Sequence, residues 1–333
     1  SLLEGTAGWF MAKPFRICLN CGTLHDSRKN EFSKLSRLSS EGRSTATTLL
    51  CLSTVNQLRQ SQAIVETSRK ILSFTDNRQD ASLQAGHFND FVQTSLLRIA
   101  LYQALQTHGN LNHETLTQAV LQHLNLTQQD YAQQPIEFSY GSNANEEAFA
   151  KLIEYRLYED LRKGWRIVQP NLEQSGLLSI HYQYLQEACA DARIWEKHSN
   201  SILLQATPEQ RYQAIKPVLD RLRRELALDV RILQEDEQDK LIRSVNQSLK
   251  DPWCFSEEEQ IYSARWASPD AKGTGKNVIK LTSRSSIGKY LRSPQTWPWR
   301  SENLSEEEYD RLIRSLIAAL SDSGFLIHSK QGV

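Results

Sequence analysis

The feature that most constrains the fold is a helical periodicity in the middle of the chain, from about residue 110 to residue 269. Apolar residues recur there at three- and four-residue spacings, as at Phe149, Leu152 and Ile153, which is typical of amphipathic helices with one buried face. Residues that commonly cap helix N-termini precede these stretches. They are Asn112, Asn145, Thr207 with Gln210, and Ser256 with Glu259. The pattern predicts an α-helical module, and it predicts a mainly α fold for the chain.

Local signals interrupt the helical pattern. Pro217 should kink or split the helix that contains it, because proline lacks the N–H that a helix interior requires. Two apolar runs that follow glycines, 165–168 and 177–182, predict short strands. The cap at Ser256 predicts a further helix that includes residues 261–266.

The C-terminal part has the elements of a winged helix-turn-helix. Ser285–Arg292 and Asp310–Leu320 are helix candidates, Gly324 ends the second, and Phe325–His328 predicts a strand. The strand has no return partner before Val333, and the sequence begins without methionine. We therefore expect the sequence to be a piece of a longer chain.

Positive charge is concentrated just before and within this part. Residues 271–300 contain seven Lys and Arg and no Asp or Glu, whereas the whole chain has 39 basic and 39 acidic residues. Lys and Arg bind phosphate backbones, and the interleaved aromatics Tyr290, Trp297 and Trp299 could stack on unpaired bases. The alternative is a solvated linker whose tryptophans pack into the domain. The candidate nucleic-acid-binding residues are Arg284, Lys289, Arg292, Trp297 and Arg300.

A pair of cysteines near the N-terminus resembles half of a zinc site. Cys18 and Cys21 are two residues apart, Gly22 follows them, and His25 is close enough to be a third ligand. No second CxxC pair occurs in the sequence, so a complete four-ligand set is not evident. The alternative is two reduced thiols in a turn.

The composition predicts the compartment. Five cysteines in 333 residues do not make a disulfide framework, which favours a reducing environment, and we expect a cytoplasmic location. No apolar run approaches the roughly 20 residues that a membrane span needs. The sequence therefore predicts no membrane partner.

A polar cluster separates an apolar run from a helical pattern in Lys70–Phe91. Ile71, Leu72 and Phe74 predict a short strand, and a helix should begin directly after the cluster. Ligands often bind at the carboxyl ends of strands, and helix N-termini favour anions. The candidate phosphate-binding residues are Thr75, Asp76, Asn77, Arg78 and Gln79. The alternative is that these side chains only cap the helix.

The same cluster carries a resemblance. Ser73–Ala81, SFTDNRQDA, resembles the first strand and turn of the second RecA-like lobe in large bacterial DEAD/DEAH-box helicases of superfamily 2. The similar group carries a cysteine-bearing C-terminal domain. Ser40–Leu50 and Tyr158–Leu178 are weaker likenesses to the same group. The resemblance implies a parent enzyme that hydrolyses ATP with Mg²⁺ and translocates on DNA, with Thr75–Gln79 on the inter-lobe or nucleic-acid side.

Together with the patterns above, the resemblance divides the chain into four segments. They are a cysteine-bearing N-terminal segment with the zinc half-site at 1–68, the first strand and helix of a RecA-like lobe at 69–109, an α-helical insertion at 110–270, and a basic linker with a winged-helix-like domain at 271–333. The implied partners are DNA and the remaining helicase domains of the parent chain.

The sequence lacks the motifs of an ATP site. It contains no GxxxxGK[ST], no DEAD or DEAH quartet and no arginine-finger motif, and the loop-like Gly273–Lys276 is followed by Asn277 instead of Ser or Thr. We therefore expect this chain to contribute nucleic-acid contacts and not the ATP site. One alternative is a non-enzymatic DNA-binding adaptor with a winged-helix tip, and another is a protein-interaction scaffold.

The cysteine pair gives a testable prediction. If Cys18 and Cys21 supply two thiolates to zinc, protein from zinc-replete expression should hold up to one zinc per chain by elemental analysis. The double change Cys18→Ser, Cys21→Ser should remove it, whereas Cys51→Ser, at an isolated cysteine, should not. Folded wild-type protein without zinc would contradict the assignment.

Overall fold

The computed structural model describes residues 38–72, 78–135, 142–162, 171–256, 259, 261–269 and 277–328. Within these residues the regular structure is twelve α-helices, two short 3-10 helices and one pair of parallel strands. The predicted mainly α fold is therefore confirmed. None of the helices that the structure describes is long and apolar enough to cross a membrane.

The elements follow one another along the chain with short connections. The helices are α1 Leu38–Gln60, α2 Arg78–His108, α3 His113–Leu124, α4 Gln128–Tyr131, α5 Ser142–Leu161, α6 Leu185–Ala190, α7 Ala192–Lys197, α8 Ser201–Gln205, α9 Pro208–Arg224, α10 Glu235–Ser248, α11 Ser286–Arg292 and α12 Glu306–Asp322. The strands are β1 Trp266–Ser268 and β2 Val278–Lys280, which pair in parallel with Trp266 opposite Val278. The sequence patterns did not predict this strand pair.

The chain divides into two compact units. The large unit comprises Lys34–Ile180 and Arg223–Arg265, and the small unit comprises, among the described residues, His181–Leu222 and Trp266 onwards. These units do not follow the predicted segments. In particular α2, from the predicted RecA-like segment, packs against α3 of the predicted insertion.

The core of the large unit is formed mainly by α2, α3, α5 and α10. An aromatic group fills part of it, because the rings of Tyr131 and Phe149 stack with centroids 4.1 Å apart and Trp253 meets Phe149 edge-on at 5.2 Å. Such aromatic pairs add stabilisation beyond the apolar area that they bury. The predicted cap at Asn112 is confirmed, since its side chain accepts from Glu114 N and Thr115 N at the start of α3.

Two predicted helix signals have a different role in the structure. Asn145 does not cap α5, which begins at Ser142. Its buried amide instead donates to Gln128 Oε1 and Gln134 O, both at 3.1 Å. Pro217 does not split α9, which is continuous from Pro208 to Arg224. Four residues beside the proline are buried, and burial of this face offsets the missing backbone hydrogen bond. They are Ala214, Ile215, Val218 and Leu219.

Two predicted elements are absent where the structure describes their residues. Residues 177–182 form no strand, and the predicted helix at 261–266 is extended chain that enters β1. There Ala264 N donates to Leu233 O at 2.7 Å and Arg265 N donates to Leu226 O at 3.0 Å. These distant backbone partners replace the local bonds of a helix, which the cap signal at Ser256 could not reveal.

Only part of the predicted strand before α2 lies in the described residues. Ile71 and Leu72 belong to no strand, and Leu72 is 81% exposed. Residues 73–77 lie outside the described residues. The helix predicted after the polar cluster is confirmed, since α2 begins at Arg78.

One buried cation organises the first part of the small unit. Arg211, 7% exposed, donates from Nε to Leu203 O at 2.8 Å and from Nη1 to Cys189 O at 2.9 Å. Its guanidinium also lies 5.2 Å from the ring centroid of Trp195, and burial lowers its pKa. The accepting carbonyls are at the C-terminal ends of α6 and α8, where a helix dipole favours positive charge. Arg211 from α9 therefore holds these short helices in place.

This arrangement predicts a strong effect of one substitution. Arg211→Met should lower the free energy of unfolding by about 2–4 kcal/mol, because it leaves buried carbonyls without a donor. Arg311→Met is the matched control, since Arg311 is exposed on α12. The measurement is urea denaturation of both variants, and equal midpoints would contradict the role assigned to Arg211.

Candidate nucleic-acid interface

Some predicted site residues lie outside the described residues. They are Cys18, Cys21, Thr75, Asp76 and Asn77. Arg78 and Gln79 are the first two residues of α2. Within the described residues no group of three or more His, Cys, Asp or Glu side chains could hold a metal ion. The zinc half-site and the phosphate-binding cluster therefore remain predictions.

The basic segment is built on a turn between β2 and α11. Ser285 caps α11, because its Oγ accepts from Gly288 N at 3.0 Å and donates to Thr282 O at 2.7 Å. A serine side chain at this position satisfies a helix N–H that has no partner within the helix. The same hydroxyl therefore fixes both the start of α11 and the turn before it.

Gly288 lets this turn lie directly on the helix. A Cβ added at Gly288 would be 2.1 Å from Thr282 O and 2.6 Å from Ser283 C. Both neighbours are backbone atoms, so they cannot move aside as a flexible side chain could. The close approach fixes the position of Arg284, in the turn, relative to Lys289, on the helix.

Trp297 belongs to the core of the small unit. It is completely buried, and its indole Nε1 donates to Leu291 O at 2.6 Å. The ring of Trp299 lies against it, with centroids 5.7 Å apart. This favours the packing alternative for Trp297, since a buried ring cannot stack on bases while the fold is intact.

Two of the candidate arginines make internal contacts. Arg292 donates from Nε to Leu304 O at 2.6 Å, next to the bond from Leu304 N to Arg292 O. Arg300 Nη2 lies 3.0 Å from Glu308 Oε1. These residues join α11 to the start of α12, so their charges are partly used inside the unit.

The other three cations of residues 277–300 face solvent. Lys280, Arg284 and Lys289 are exposed, and the side chain of Arg284 is 86% exposed. They lie within ten residues of chain on a turn that Gly288 and Ser285 hold rigid. The sequence pattern proposed Arg284 and Lys289 but did not separate them from the internally bonded arginines, and it did not single out Lys280.

The second helix of the predicted winged-helix pattern is negative at its N-terminus. The first turn of α12 contains Glu306, Glu307 and Glu308. Hydrogen bonds from the backbone and side chain of Ser305 lower the pKa of Glu308, so that carboxylate is ionised. Three carboxylates at this end would repel a phosphate backbone. The predicted strand at Phe325–His328 is not formed, so the structure gives no support to the wing.

The large unit has a separate charged cleft, which sequence patterns did not identify. It encloses about 500 Å³ of space between α2, α5 and the segment that contains Trp253. Arg98 binds Asp160 with two hydrogen bonds, of 2.9 and 2.7 Å, and Arg156 pairs with Glu159 at 2.9 Å. Arg156 also pairs with Glu259, so both arginines of the cleft link separate elements of the unit.

Comparisons of the chain with protein-family models, with curated proteins and with solved structures find no match. Its function must therefore be argued from its own residues. The exposed cations around α11 form the best-defined candidate site, because their scaffold is fixed and their side chains are accessible.

The close approach at Gly288 gives a prediction about the scaffold. Gly288→Ala should destabilise the protein by about 1–3 kcal/mol, because the added methyl group forces the turn away from α11. Gly86→Ala is the matched control, since a Cβ at Gly86 meets nothing within 4 Å, and alanine in a helix should be neutral or stabilising. Thermal unfolding of the two variants at the same temperature would contradict the role of Gly288.

Proposed function

We propose that this chain supplies nucleic-acid backbone contacts, through the surface formed by Lys280, Arg284 and Lys289, to an ATP-dependent DNA helicase or translocase. We call these three residues the basic surface. The observation that carries the proposal is that all three side chains are exposed on a rigid turn and helix. Phosphate groups are bound by such cations, and binding releases counterions from the nucleic acid.

The proposed contact is to the backbone and not to bases. The aromatic residues of the segment are engaged elsewhere: Trp297 is buried, Trp299 packs on it, and Tyr290 donates its hydroxyl proton to Gln213 O at 2.7 Å. Without an exposed aromatic ring, the surface has no platform for stacking unpaired bases. Backbone contacts carry no sequence information, so binding should be independent of sequence.

The helicase part of the proposal has a different support. It comes from the likeness of Ser73–Ala81 to the second RecA-like lobe of DEAD/DEAH-box helicases, and from the absence of ATP-site motifs in the chain. ATP and Mg²⁺ would be bound by the remaining helicase domains of the parent protein, and zinc by Cys18 and Cys21. A non-enzymatic adaptor would use the same basic surface, and only the parent's ATP-dependent activity distinguishes the two.

The basic surface predicts a salt-dependent affinity for DNA. Binding of three phosphates should give a slope near −2.7 in a plot of log affinity against log salt, at about −0.9 for each duplex phosphate. The double change Arg284→Glu, Lys289→Glu should weaken binding to every sequence by about tenfold or more at low salt, and it should flatten this slope. Fluorescence anisotropy with labelled duplexes of unrelated sequence measures both quantities.

The control changes net charge by the same amount on another surface. Arg311→Glu with Arg314→Glu alters the exposed side of α12 and should reduce affinity much less. An equal loss in the two double variants would show that only net charge matters. Unchanged binding in Arg284→Glu, Lys289→Glu, with the fold intact, would remove the basic surface from the proposal.

A further inference from the structure

We infer that Glu306 masks the basic surface by holding Arg284, so that a phosphate must displace this carboxylate before Arg284 can bind it. This inference rests on the proposed function and adds a regulatory contact to the same surface. Arg284 Nε lies 3.6 Å from Glu306 Oε1, with side chains 86% and 60% exposed. Both groups are accessible, so exchange of the carboxylate for a phosphate needs no change of the fold.

The other two carboxylates of the turn have different surroundings. Glu308 accepts from Ser305 N at 2.8 Å and pairs with Arg300 at 3.0 Å, so it caps α12. Glu307 is exposed, and its backbone carbonyl accepts from Arg311. Among the described residues, Glu306 is the acid that contacts the basic surface.

The contact should reduce affinity for nucleic acid without blocking it. An exposed ion pair is weak and is screened by salt, so its loss on binding corresponds to about a two- to fivefold change in affinity. Since a carboxylate and a phosphate compete for one guanidinium, removing the carboxylate charge should strengthen binding. The gain should be largest at low salt and should shrink as ionic strength rises.

The test compares two neighbouring neutral substitutions in the full chain. Glu306→Gln should raise affinity for a labelled DNA duplex by about two- to fivefold over wild type at low salt. Glu307→Gln removes the same charge from the same helical turn, so it reports the long-range electrostatic effect alone. Both changes should weaken the helix N-terminus similarly, and thermal unfolding verifies that the two variants are equally stable.

A double-mutant cycle ties the gain to Arg284. With Arg284→Gln present, Glu306→Gln should strengthen binding no more than Glu307→Gln does, because the masked cation is gone. Equal gains from Glu306→Gln and Glu307→Gln in the wild-type background would overturn the mask while leaving the proposed function in place. Absence of DNA binding in wild type and in every variant would overturn both.

Discussion

The close contact between the backbone of the turn at Thr282–Ser283 and the helix at Gly288 is the constraint on which the candidate interface depends. With no side chain at Gly288, the turn lies on α11 at a distance that any Cβ would prevent. Ser285 then bonds to both the turn and the helix. Arg284 and Lys289 are thereby held on one small scaffold, so little conformational entropy would be lost when they bind a ligand.

The small unit uses its cations in two ways. Arg211 and Arg292 donate to backbone carbonyls and stabilise the positions of short helices. Lys280 and Lys289 are left exposed, where charge can act on an anionic partner. A count of charges along the chain treats these groups alike, but burial and hydrogen bonding separate cations that stabilise the fold from cations that can bind.

The acid-free run from 271 to 300 is not isolated from negative charge in the folded chain. The first turn of α12 brings Glu306 beside Arg284 and Glu308 beside Arg300. A positive charge of seven in sequence therefore overstates the charge that a nucleic acid would meet. It also explains why the interface is assigned to the turn and α11, since the start of α12, the second helix of the predicted winged-helix pattern, is negative.

The amino-acid sequence by itself determined the helical class, the caps at Asn112 and Ser305 and the bounds of α11, because these depend on local periodicity and on bonds between near neighbours. It also identified Arg284 and Lys289 as candidates. Only the tertiary structure decided that Asn145 is a buried bridge, that residues 261–266 are extended, and that Trp297 is core. The physical reason is that each of these depends on partners distant in sequence, whose bonds and burial outweigh local propensity.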